Sequence, residues 1–178
     1  QDGFTLSHQD DEIRAFWVKH GKACRKIAQA MAKSQGSPCY VNWWTPDGSK
    51  DMPADSWGPR KRMMESYDAI MSDKSIDRKK CVDFIESKLF GIGSEEYVVA
   101  SSEFCSDYAI SRNMGLTMDM GHFHPTETIH DKISSHLQFM DQILLHVSRP
   151  IRWDSDHVVV FNDDLKNVFL EIQRGKVW

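Results

Sequence analysis

Met114-Gly-Leu-Thr-Met-Asp-Met-Gly-His122 is the stretch from which the fold is read. A short apolar run ends on a carboxylate at Asp119, and an imidazole follows at His122. The arrangement returns downstream, where Ile143-Leu-Leu145 leads into His146 and Asp154-Ser-Asp156 follows. Upstream, Val82-Asp-Phe-Ile85 ends on Glu86, with Lys88 two residues later. Short apolar runs of this kind read as buried strands. Carboxylates and imidazoles at successive strand ends form the donor set of a divalent cation that takes oxygen and nitrogen ligands. In a barrel of parallel strands the C-terminal ends meet on one face, and that face carries the chemistry.

Outward from this stretch, helices alternate with strands. A long amphipathic helix is expected after a Ser7 N-cap, with Asp10, Asp11 and Glu12 in its first turn, where the helix dipole favours anions. Ile13, Phe16, Trp17, His20, Cys24, Ile27, Ala28 and Met31 recur along it at helical spacing, and Gly36 ends it. Residues 39–44 read as a strand and 45–58 as a loop rich in Pro, Gly and Asp. Pro59 suits the start of a second helix, with Met63, Met64, Tyr67, Ile70 and Met71 on one face. After the strand ending at Glu86, a loop with Gly91 and Gly93 leads to a third helix capped by Ser94 and running toward Asn113. Pro125 and Thr126 open a fourth helix carrying Ile129, Ile133 and Leu137. Residues 142–147 form the next strand, 158–161 a short apolar run, and 163–174 a last helix with Gly175 past its end.

Strand alternating with helix means βαβ units and a parallel sheet, hence the α/β class. Four units can be counted. A closed eight-fold barrel needs roughly 250 residues. The expectation is therefore a partial (β/α)8 TIM barrel of four consecutive βα units, with residues 1–178 as a segment of one barrel domain. Such a segment leaves sheet edges unpaired.

Composition narrows the function. The chain has 178 residues, 40% hydrophobic and 27% charged, and a formal net charge of -4. That is a globular composition. With no basic stripe, a nucleic-acid face is not expected. No apolar run approaches the roughly 18 residues of a membrane span, and no leader peptide is read. The first residue, Gln1, suggests a processed or partial product. Cys24, Cys39, Cys81 and Cys105 have no CxxC spacing and read as free thiols in a reducing compartment.

Taken singly, each polar residue has an ordinary explanation. Asp154-Ser-Asp156 could be an exposed loop, His146 a hydrogen-bonded core histidine, and Asp119 a helix cap. Jointly placed at strand ends, they would be costly desolvated groups unless paired or metal-bound. Trp43, Trp44 and Trp57 could stack on a sugar ring or pack in the core. Gly91-Ile-Gly93 lacks the third glycine of a dinucleotide fingerprint. Met63 to Met71 reads as core filler. Arg60, Lys61 and Arg62 read as a solvated helix start, and His8, His20, His130 and His136 as solvated or packed helix residues.

Four strings are specific. They are Gly3-Phe-Thr-Leu-Ser-His-Gln-Asp-Asp-Glu-Ile-Arg-Ala-Phe-Trp17, Glu86-Ser-Lys-Leu-Phe-Gly-Ile-Gly93, Gly121-His-Phe-His-Pro-Thr-Glu127 and His146-Val-Ser-Arg-Pro-Ile-Arg-Trp-Asp-Ser-Asp-His157. With them the chain resembles bacterial L-rhamnose isomerase along essentially its whole length, as an internal segment of the longer family chain. The resemblance implies a (β/α)8 barrel that interconverts L-rhamnose and L-rhamnulose with two divalent ions, Mn2+ first and Zn2+ or Co2+ next, in a cytoplasmic homotetramer. It implies a structural metal held by Glu86, Asp119 and His146, with one further Asp from beyond the chain. It implies a catalytic metal held by His122, Asp154 and Asp156, Lys88 near the reacting carbons, and Trp44 lining the sugar pocket. The early strands of the family pocket and that further Asp are not among these residues, so the segment alone is expected to be inactive. The rival readings are an isomerase or epimerase of another aldose, a barrel-type phosphodiesterase, and an inert fragment or binding module. The acidic balance argues against the phosphodiesterase.

Overall fold

The computed structural model describes residues 3–88, 96–124, 126–151 and 154–178. Along the chain these form α1 (Asp11–Gln35), β1 (Cys39–Trp44), β2 (Gly48–Ser49), α2 (Trp57–Met71), β3 (Cys81–Glu86) and β4 (Tyr97–Val98). Then come α3 (Ser102–Arg112), β5 (Gly115–Asp119), α4 (His130–His136), β6 (Ile143–His146) and α5 (Asp163–Gly175). Four strands make one parallel sheet in the order β1-β3-β5-β6. The fold is α/β, and its four long strands are those read from the sequence.

The sheet is nearly all buried along β3 and β5, as parallel strands covered on both faces are. Side chains alternate across it. Ile85, Leu116 and Met118 join Met63, Tyr67 and Ile70 of α2, Cys105 and Ala109 of α3, and Val168 and Ile172 of α5 in the main core. Register then sets the site. Trp44 pairs with Glu86, Glu86 with Thr117, and Asp119 with His146, so the polar strand ends stand together at the C-terminal end of the sheet.

A buried ion pair ties α1 to this sheet. Arg25 Nη2 lies 2.8 Å from Asp83 Oδ2, and both side chains are 1% exposed. Arg25 Nη1 donates to the Ile70 carbonyl at 3.1 Å, and Trp43 Nε1 donates to Asp83 Oδ1 at 3.0 Å. Trp43 is therefore structural.

Several boundaries differ from the expected ones. The N-cap of α1 is Asp10, whose carboxylate accepts from Glu12 N at 2.8 Å, while the Ser7 hydroxyl donates to Asp47. Of the expected apolar positions on α1 only Ala28 is buried, and the helix buries Gly21, Arg25, Ala28 and Ala32. Close approach is the reason. A Cβ on Gly21 would lie 2.6 Å from Ile70 Cδ1 of α2 and 3.2 Å from Trp43 Cζ3 of β1, so small residues of the helix face these two elements. Phe16, Ile27 and Met31 remain exposed.

The third helix begins after Ser101, whose hydroxyl caps Phe104 N. Tyr97 and Val98, expected in that helix, instead pair antiparallel with β2. Gly91, Gly93, Ser94 and Pro125 lie outside the described residues. The fourth helix begins at His130, well after Thr126. Val158 and Phe161 are exposed rather than in a strand. Arg60 and Arg62 are not merely solvated. Arg60 lies over the Tyr97 ring, and Arg62 Nε donates to the Ser7 carbonyl at 2.8 Å.

The β2–β4 ribbon depends on Gly48. A Cβ there would sit 2.3 Å from the Tyr97 carbonyl oxygen, which is backbone and cannot swing away. Gly48→Ala is expected to destabilise the fold by about 1–3 kcal/mol, the usual range for overpacking. Urea unfolding checks this, and an unchanged midpoint would contradict the close approach.

Candidate metal centre

Three strand ends and two turns build the centre. Glu86 closes β3, Asp119 closes β5 and His146 closes β6. Ligand atoms of these three residues all lie within 4.8 Å of one another. His146 Nδ1 is 3.5 Å from Glu86 Oε1 and in close contact with Asp119 Oδ2. Beyond Asp119 a single 3-10 turn, Met120–His122, folds the chain back. That turn forms because Asp119 Oδ1 accepts from Gly121 N at 2.7 Å. It brings His122 into a second group with Asp119 and Asp154, again within 4.8 Å. Gly121 is required there, because a Cβ would meet Asp154 Oδ1 at 2.8 Å.

Hydrogen bonds around the ligand atoms leave a gap suited to a cation. Asp119 Oδ1 is saturated by Gly121 N and by the Ser148 hydroxyl at 2.8 Å. Its partner oxygen Oδ2 is buried and faces the ring nitrogens of His146 and His122, and Asp154 Oδ1 is buried with no hydrogen bond among the described residues. Buried carboxylate oxygens without partners are costly unless a positive charge meets them.

His122 points to the same conclusion. Its Nδ1 faces the Ser87 carbonyl at 2.7 Å, and a carbonyl only accepts, so Nδ1 carries the proton. In the neutral ring Nε2 then presents a lone pair to Asp154 Oδ2, 2.8 Å away, and to Asp119 Oδ2, 3.5 Å away. Two lone pairs do not share such a gap without a second proton or a cation between them. A ring N–H fixed on a carbonyl is also how ligating histidines are oriented. The residues present therefore fit a divalent ion.

Electrostatics agree. Burial raises the Glu86 carboxyl above its ordinary range, with Asp119 adding to the rise, while the Asn42 hydrogen bond and the imidazoles oppose it. Burial alone would lower His146, but Asp119, Glu86 and Asp156 together outweigh it and raise the imidazole. Acidic groups crowd one buried spot.

The structure brings five of the six expected ligands into these two groups and leaves Asp156 outside them. Asp156 has φ 47°, a left-handed turn, where parallel side chains at 154 and 156 require extended backbone. Asp156 Oδ1 faces His146 Nε2 instead, at 3.6 Å, and is mostly exposed. Asp119 takes its place beside His122 and Asp154. Lys88 is buried, and its Nζ donates to the Pro46 carbonyl at 3.3 Å. It shares with His122, Phe123, Arg60, Tyr97 and Lys132 the wall of a cavity of about 350 Å3. Trp44 ends β1 opposite Glu86 and is 43% exposed, whereas Trp57 stands in solvent.

Asn42 and Ser148 escaped the sequence reading. Asn42 Nδ2 donates to Glu86 Oε2, and Ser148 orients Asp119. Asn42 interrupts an otherwise apolar strand two residues before Trp44, which was the available signal.

The family model of L-rhamnose isomerase matches residues 1–178, and the chain belongs to that family. It is 54% identical over 174 residues to the L-rhamnose isomerase of Rhodopirellula baltica, covering 98% of this chain and 40% of that one. It is 53% identical to that of Mannheimia succiniciproducens, with 98% and 42% covered, and 50% identical to that of Klebsiella pneumoniae, with 99% and 42% covered. The chain thus spans well under half the length of these relatives. In fold it is similar to the crystal structure of apo 3-keto-D-glucoside 4-epimerase from E. coli, with a TM-score of 0.64, 12% identity, and 100% of this chain and 66% of that one covered. Among the described residues no helix is long and apolar enough to cross a membrane.

Proposed function

We propose that these residues form the metal-holding part of an aldose–ketose isomerase that interconverts L-rhamnose and L-rhamnulose, on four consecutive units of a (β/α)8 barrel. The observation that carries the reading is Asp119, which belongs to both ligand groups and whose buried Oδ2 faces both His146 and His122. Glu86, Asp119 and His146 would hold one divalent ion, and His122 and Asp154 the other, with Asp156 and Asp119 at its margins. The donors are oxygen and nitrogen without sulfur, a set that suits Mn2+ and also takes Zn2+ or Co2+.

A bound cation would polarise the sugar carbonyl and stabilise the charge that develops on its oxygens. The chain's own residues supply the rest. Lys88 places a positive charge beside the cavity, suited to negative charge on a sugar oxygen. Trp44 offers an aromatic wall at the end of β1. The Ser87 carbonyl and Ser148 hydroxyl hold His122 and Asp119 in register. The partner is a free sugar, the expected assembly a homotetramer and the expected compartment the cytoplasm. The net charge of -4 speaks against a nucleic-acid partner.

The test pairs residues 1–178 alone with a family-length chain carrying them. The longer chain should form L-rhamnulose from L-rhamnose in preference to other aldoses, lose turnover to a chelator and regain it with Mn2+. The 178-residue chain should bind Mn2+ in calorimetry yet form no ketose, because among the described residues no further strand lies beside β1 or β6 to complete a pocket. Turnover indifferent to chelation, or a preference for another sugar, would refute the reading.

A further inference from the structure

We infer that Asp47 is a positioning residue, whose buried carboxylate fixes the Pro46 carbonyl against which the Lys88 ammonium is held. The inference rests on the role proposed for Lys88. Asp47 is fully buried, and its carboxylate is filled from one short segment. Oδ2 accepts from Thr5 N at 2.8 Å, Ser7 N at 2.9 Å and the Ser7 hydroxyl at 2.6 Å, and Oδ1 accepts from the Thr5 hydroxyl. Its backbone carbonyl accepts from Val99 N at 2.9 Å. On the other side of Pro46, the buried Thr45 and Tyr67 hydroxyls are 2.6 Å apart. The Pro46–Asp47 peptide unit is therefore clamped at both ends although Pro46 itself is exposed.

Lys88 hangs on the same clamp from both its ends. Its Nζ donates to the Pro46 carbonyl at 3.3 Å, and its backbone N donates to the Ala100 carbonyl at 2.9 Å, one residue beyond the Val99 that Asp47 holds. A lysine is a point charge on a flexible four-carbon stem, so its aim depends on such fixed acceptors. Asp47 touches neither ligand group of the metal centre and acts through Lys88.

The expected result is that Asp47→Asn, in a family-length chain, lowers kcat about 10- to 100-fold, the scale of an ångström misplacement. An Asn would keep one acceptor for the two backbone N–H groups, but it removes the charge that strengthens them and turns an amide N–H toward the Thr5 hydroxyl, which loosens the clamp. KM and Mn2+ affinity should change little. Acetylation of Lys88, followed by mass spectrometry, should speed up in Asp47→Asn. The double variant with Lys88→Met should lose no more kcat than Lys88→Met alone, because the two act on one path. Ser7→Ala, which removes one donor and leaves the rest, should shift kcat and labelling in the same sense by less, and serves if Asp47→Asn does not fold.

Full kcat in Asp47→Asn overturns the inference, as do losses that multiply in the double variant with Lys88 labelling unchanged. In both cases the role of Lys88 stands. Full kcat in Lys88→Met overturns that role, and with it any effect of Asp47 on turnover through Lys88.

Discussion

Asp119→Asn is expected to disable both halves of the metal centre at once. Asp119 is the one described residue common to the two ligand groups. The substitution keeps an acceptor for Gly121 N and the Ser148 hydroxyl, so the turn that delivers His122 should survive. What it removes is the negative charge at Oδ2, and it points an amide N–H at His146 Nδ1 and His122 Nε2 instead. Losing a partner outside the ligand set typically weakens metal binding about 10–100-fold. Ser148→Ala should fall in that range and Asp119→Asn well beyond it. Calorimetry with Mn2+ and thermal melts of both variants check this. A folded Asp119→Asn chain that binds Mn2+ as tightly as Ser148→Ala would remove Asp119 from the centre.

The largest loss of stability is expected at the opposite end of the sheet. Arg25→Met should cost about 3–5 kcal/mol, the penalty for leaving one member of a buried pair without its partner. Among the described residues Asp83 would keep the Trp43 indole and the weak Cys81 thiol as hydrogen-bond donors, neither of them charged. The Ile70 carbonyl would also lose its donor. Replacing both charges, as Arg25→Met with Asp83→Leu, should recover much of the loss, since apolar substitutes for a whole buried pair are often neutral or better. The Trp43 N–H then lacks an acceptor, so recovery stays incomplete. Urea unfolding of the three chains decides the matter, and a single variant as stable as the parent would show that the pair contributes nothing.

The contrast between these two sites explains what the sequence made readable. Glu86, Asp119 and His146 each close an apolar run, and a short apolar run ending in a polar residue is a local pattern. Strand order and register then follow from parallel pairing of neighbours. Arg25 carries no local mark. It lies among lysines and alanines on a helix that leaves Phe16, Ile27 and Met31 exposed, and only the depth at which α1 meets the sheet tells which face is buried. The ribbon of Gly48–Ser49 with Tyr97–Val98 was equally hidden, because two-residue strands have no period to detect. Asp156 was misplaced for a third reason. Its spacing from Asp154 fits an extended chain, and the left-handed residue that breaks the extension is an aspartate, which tolerates that conformation without announcing it.

Each long strand in the sheet pairs with the long strand made just before it, β1 with β3, β3 with β5 and β5 with β6. No pairing waits for a distant part of the sequence. As the chain leaves the ribosome, every unit finds its template edge already formed, and the loop it must close is one helix and its turns. Loop-closure entropy rises only slowly with such lengths, and contacts near in sequence favour fast folding. The sheet can therefore be laid down vectorially, strand by strand from β1 to β6.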